Sequence, residues 1–158
     1  MTKPITWFAT WLPLIKLAQA VCLAVVILLF VDGREQWFVY NLVFIFSALA
    51  TAFALISILF RYFELNGSRQ VSFNVVELSL NALCTIISFS LSCALLWDIW
   101  NMRKGKHEIT YHTRFPPHFI GNQAWMRRCV IVATTLLITG ILFLITYLKL
   151  HHSHSSRN

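Results

Sequence analysis

The chain has 158 residues and a formal net charge of +7, is 58% hydrophobic, and carries only 12% charged residues. A soluble domain of this length carries about twice that charged fraction, so composition points to a polytopic membrane protein rather than a water-soluble core. The basic excess is expected at lipid headgroups and span flanks, and no nucleic-acid partner is expected, because no patch alternates aromatic with basic residues.

Residues 1–10, MTKPITWFAT, are too short a head for a soluble domain. No A-x-A-like cleavage site follows the first apolar block, so that block is expected to stay in the chain as a span. It covers 11–31, with Pro13 in its first turn, where the missing N–H matters least. A tight polar turn, DGREQ, with Asp32 and Gly33, leads into a second span over 37–60. Ala50, Ala54 and Ser57 give that span a small-residue face on which another helix can approach closely. A polar loop, RYFELNGSRQVS, follows. Its Asn66-Gly67-Ser68 is formally a glycosylation sequon, but the same residues are ordinary turn chemistry close to the membrane.

The third span, FNVVELSLNALCTIISFSLSCALLW over 73–97, is the one the others are expected to pack against. Glu77, Asn81, Cys84, Ser88 and Ser92 fall at helical spacing on one face. A lipid-facing helix would not align its polar groups, since each unpaired group in hydrocarbon costs free energy. The longest loop, from about Asp98 to Met126, holds six basic residues, counting Arg127 and Arg128 at its edge, with Pro116-Pro117 in its middle, and is expected on a membrane surface. The fourth span covers 129–148, with Thr135, Thr139 and Gly140 marking its packing side. A polar, mobile tail over 149–158 closes the chain, which carries no prenylation or retention signal. The expected fold is all-α, a four-transmembrane-helix bundle forming one membrane domain over 1–158.

The tryptophans fit these boundaries. Trp7, Trp11, Trp37, Trp97, Trp100 and Trp125 all fall at span ends, as in an interfacial aromatic belt. Four spans place both termini on one side of the membrane. Six basic residues fall on that side (Lys3, Lys16, Arg61, Arg69, Lys149, Arg157) against seven on the other, a slight bias towards a cytoplasmic third loop.

Lys16 and Glu77 are the ionisable residues well inside predicted spans. Their helices start from the same side, about five and about four residues before each charge, so both lie at similar depth. Intramembrane charges are costly and normally pair or face a bundle interior. A Lys16–Glu77 ion pair or shared hydrogen-bond network is therefore expected, with Asn81 and Gln19 as further members and a structural role. The four cysteines, Cys22, Cys84, Cys93 and Cys129, lie in or beside apolar spans without a CxxC pair, and are expected as small apolar packers. His107, His112 and His118, and His151, His152 and His154, lack the partners and spacing of a dedicated zinc site. No cofactor, metal or catalytic residue is expected.

Four spans, short termini, the first helix LPLIKLAQAVCLAVVILLF and the third helix VELSLNALCTIISFSLSCALL together resemble the MARVEL-domain family. That family includes MAL-like and chemokine-like-factor-type membrane proteins, physins and gyrins. The resemblance covers about residues 10–148, and Lys16 and Glu77 match the family's basic residue in the first helix and acidic residue in the third. It implies a left-handed four-helix bundle with cytoplasmic termini, in the plasma membrane or endomembrane vesicles. It also implies a non-enzymatic role in membrane apposition, junctions or trafficking, through self-association or a larger membrane partner. Claudins, connexins and tetraspanins also have four spans, but their loops carry characteristic cysteines and these loops carry none. Two other classes remain: an accessory subunit of a larger channel, pump or receptor, and a small membrane enzyme or carrier using Glu77 and Asn81.

Overall fold

A computed structural model describes residues 10–63, 70–104 and 120–155 of the chain. They form four helices: α1 (Trp11–Phe30), α2 (Phe38–Tyr62), α3 (Gln70–Arg103) and α4 (Asn122–Ser155). Each contains a stretch long and apolar enough to cross a membrane. The all-α four-helix architecture is the one expected from the sequence. In hydrocarbon a backbone must satisfy its own N–H and C=O groups, and a continuous helix does so within one segment. Ser and Thr side chains inside the helices solve the same problem by bonding backward. Thr51, Thr85, Thr139 and Thr146 each donate to the carbonyl four residues earlier, at 2.7–2.8 Å.

The first two helices end within two residues of the expected boundaries, and the last two overrun theirs. α3 and α4 are each 34 residues long, or about 50 Å at 1.5 Å per residue, against a hydrocarbon core of about 30 Å. Hydropathy marks only the stretch that sits in lipid, whereas the hydrogen-bond ladder continues into water at little cost. Three expectations change as a result. Residues 98–103, read as loop, continue α3; Arg127 and Arg128 belong to the early turns of α4; and the tail is helical through Ser155. Asn66, His107, His112 and His118 lie outside the described residues.

α3 packs most extensively on α4, α1 packs on both α2 and α4, and α2 meets α3 least. Small residues set the α3–α4 approach. A Cβ added at Gly140 would meet the Phe89 ring and the Ser88 Cβ at 3.3 Å, and Ser92 Oγ donates across the interface to the Ala133 carbonyl at 2.8 Å. The expected packing residues Ala50, Ala54, Ser57, Cys84, Ser88, Ser92, Thr139 and Gly140 are buried. Thr135 is only half-buried and bonds its own helix at the Ile131 carbonyl. Cys93 faces outward, so the packing role expected of every cysteine fails at that position.

The two ends of the bundle are built differently. Where α1 ends and α2 begins, Phe30, Tyr40 and Trp125 form a buried aromatic cluster with Leu95, Val132 and Leu136 beside it. Trp125 is fully buried, stacked on Phe30 at 5.6 Å and edge-on to Tyr40 at 5.5 Å. It is a core residue and not a member of the belt, while Trp11, Trp97 and Trp100 stay exposed. The indole sits against Gly33, where a Cβ would fall inside the ring. Gly33 is therefore required for the close approach of the α1–α2 turn to α4. Because its aromatic neighbours hold the indole, Gly33→Ala should lower stability by about 1–3 kcal/mol, read as a reduced Tm in detergent. An unchanged Tm would mean that the ring is free to move.

Candidate functional site

At the opposite end, charged side chains replace the aromatic core. Lys16 lies one and a half turns into α1, and Glu77 lies two turns into α3, with Asn81 one turn further on. All three are buried, with exposures of 1% for Lys16 and 0% for Glu77 and Asn81. α1 and α3 are diagonal partners in the bundle, so only a long side chain can join them. Lys16 does so: its Nζ donates to Asn81 Oδ1 at 2.9 Å and lies 3.5 Å from Glu77 Oε1. The same ammonium sits 4.4 Å from the centre of the Phe53 ring on α2 and 5.8 Å from that of Phe143 on α4. Lys16 thus touches every other helix of the bundle, and the aromatic faces offset part of its lost hydration. The expected Lys16–Glu77–Asn81 association is present.

Arg61, read from the sequence as a loop residue, lies in the last turn of α2 and completes the cluster. Its Nε donates to Glu77 Oε2 at 2.9 Å, and its Nη2 bonds the same oxygen and reaches Asn74 Oδ1 at 3.3 Å. Glu77 therefore receives a cation on each carboxylate oxygen, Lys16 from α1 and Arg61 from α2. Asn81 orients the centre, since its Nδ2 donates back to the Glu77 carbonyl at 2.6 Å while its Oδ1 accepts from Lys16. The signal for Arg61 was available. A basic residue closing one helix and an acidic residue opening the next antiparallel helix lie at the same depth.

Gln19 stands apart from the cluster, contrary to expectation. Its Nε2 donates to Thr146 Oγ1 on α4 at 3.1 Å, forming a separate α1–α4 link. It lies three residues from Lys16, and on a helix that offset of about 300° turns it to the neighbouring side.

A second polar contact lies in the aromatic end. Tyr40 Oη donates to Asp98 Oδ2 at 2.5 Å, and the Cys129 thiol approaches the same phenol oxygen at 3.8 Å. Asp98 is 3% exposed, although the sequence placed it at the start of a loop. It lies three heptads beyond Glu77, which keeps it on the polar face of α3. Extending that face past residue 97 would have found it. On the surface of this end, Arg128 pairs with Asp32 at 3.1 Å.

These groups are directed at one another. Among the described residues, no set of three or more His, Cys, Asp or Glu side chains gathers where a metal ion could be held, and the described cysteines are free thiols. No protein-family model, curated protein or solved structure matches the chain.

The geometry ranks the substitutions. Glu77→Ala strands two cations in the bundle and should cost about 3–5 kcal/mol, with loss of folded protein. Lys16→Met leaves the Arg61–Glu77 pair intact in a side chain of similar length and should cost much less. Thermal unfolding in detergent checks the order, and equal losses would contradict a cluster centred on Glu77.

Proposed function

We propose that this is a non-enzymatic integral membrane protein of MARVEL type, which organises membrane through helix packing and through association with itself or a larger membrane partner. The observation that carries the proposal is the use made of the buried charges. Lys16, Glu77 and Arg61 are bound to one another and to Asn81 and Asn74, and so hold three helices together. A catalytic carboxylate or a carrier site presents its acceptor atoms to a substrate. Here both Glu77 oxygens already face cations.

The basic residue in the first helix and the acidic residue in the third, which underlie the resemblance to MARVEL proteins, are the two that meet across the bundle. The outward faces are apolar along every helix, with Leu17, Val21, Leu49, Ile56, Ile86, Ile138 and Ile141 among the exposed side chains. Such faces suit lipid and the flat helix-to-helix contacts by which small membrane proteins assemble. Cytoplasmic termini, taken from the resemblance over the slight opposite bias of the basic residues, and residence in the plasma membrane or endomembrane vesicles belong to the same proposal.

Extraction in mild detergent, followed by mass measurement of the intact particle, tests it. A homo-oligomer without stoichiometric partners is the expected result. A fixed ratio to a larger membrane protein would instead make the chain an accessory subunit. An activity abolished by Glu77→Gln in a folded, normally assembled protein would establish the enzyme or carrier reading and overturn the proposal.

A further inference from the structure

The buried cluster does not balance its own charge. Lys16 and Arg61 are both cations, and Glu77 is the carboxylate that faces them. The remaining partners, Asn81, Asn74 and the Phe53, Phe73 and Phe143 rings, are neutral. Among the described residues, one positive charge is therefore left over in the cluster, and an uncompensated ion within a membrane bundle is costly.

Of the three charged groups in the cluster, Arg61 is the one that reaches the surface. Lys16 and Glu77 are sealed, at 1% and 0% exposure, whereas the Arg61 side chain keeps 21% of its surface open. Its Nε and Nη2 are turned inward to Glu77 and Asn74, and no described residue engages Nη1. Arg61 lies in the last turn of α2, at the end of its apolar stretch, where a span of this kind is expected to meet the headgroups. It also sits at the α2–α3 seam, the least closely packed in the bundle. Phe60 on α2 and Phe73 on α3 stack there with ring centres 5.3 Å apart, and Phe60 and Val76 offer exposed apolar surface on either side. α3 begins four residues before Asn74, so its partially positive end lies at the same corner.

We infer that this corner binds one anionic phospholipid, its phosphate on the outer edge of the Arg61 guanidinium and an acyl chain against the α2–α3 seam. A guanidinium offers planar, paired donors to phosphate oxygens, and a zwitterionic headgroup would bring its own cation and leave the excess in place. The site stands independently of the MARVEL proposal. It needs the charge cluster and the seam, whatever the bundle assembles with.

Native mass spectrometry of the full chain, titrated in detergent with phosphatidylserine or phosphatidylcholine, tests the inference. The wild type should retain phosphatidylserine about fivefold more strongly, the preference expected when one basic residue is matched to an anionic headgroup. Arg61→Gln should bring the ratio close to one, and so should Lys16→Met, which neutralises the cluster without touching the Arg61–Glu77 pair. Arg128→Gln changes net charge equally at the far end of the bundle and should leave the preference intact. The site is refuted by equal retention of both lipids in the wild type, by undiminished preference in folded Lys16→Met, or by equal loss in Arg128→Gln.

Discussion

A carboxylate placed inside a membrane bundle has to find cations or give up its charge, and Glu77 finds two. Lys16 comes from the diagonal helix and Arg61 from the neighbouring one, so a single side chain on α3 sets the relation of α1 and α2 to itself. Lipid tails are as apolar as leucine, and hydrophobic burial gives helices in a bilayer little reason to prefer one another. Polar contacts therefore carry more of the specificity here than they would in a soluble bundle. The desolvation cost of the charges is offset by geometry: Asn81 is bonded at both ends, and two aromatic rings lie near the ammonium.

The two ends of the bundle solve the same problem by different means. At the end with Glu77, the core is small and polar groups bridge the helices. At the other end, Phe30, Tyr40 and Trp125 interlock, and the Tyr40–Asp98 bond is set among them. The α3–α4 interface runs between the two ends on small residues, with Gly140 against Phe89 and Ser92 bonded to the Ala133 carbonyl. α2 and α3 approach each other least, and the Arg61–Glu77 pair and the Phe60–Phe73 stack fasten them at one corner. The bundle is therefore tight along α3–α4 and looser along α2–α3, and that difference defines the surface available to lipid.

Much of this was legible in the sequence because a bilayer imposes simple rules. Apolar blocks of about 20 residues locate spans, and polar residues in helical register locate the inward face. On those grounds the four helices, the Lys16–Glu77–Asn81 association and most of the small-residue faces could be anticipated. Hydropathy could not give the true ends of α3 and α4, because a helix does not stop where lipid does. Taking the span boundary as the helix boundary put Arg61 and Asp98 in loops and so hid one partner of each buried carboxylate contact. Trp125 misled for a related reason. A tryptophan at a span end suits the interface, and only the bare backbone of Gly33 on a neighbouring segment reveals that this indole turns inward. Gln19 shared the polarity of the cluster but not its side of α1.

Glu77 binds Lys16 across the bundle as a coupled pair, and is not merely buried beside it. A double-mutant cycle with Lys16→Met and Glu77→Gln, measured by thermal unfolding in one detergent, tests this most directly. For a coupled pair the two losses should fall short of additivity, with a coupling of at least about 1 kcal/mol. Strictly additive losses would contradict it and would leave the two charges as independent features of a bundle held together by other contacts.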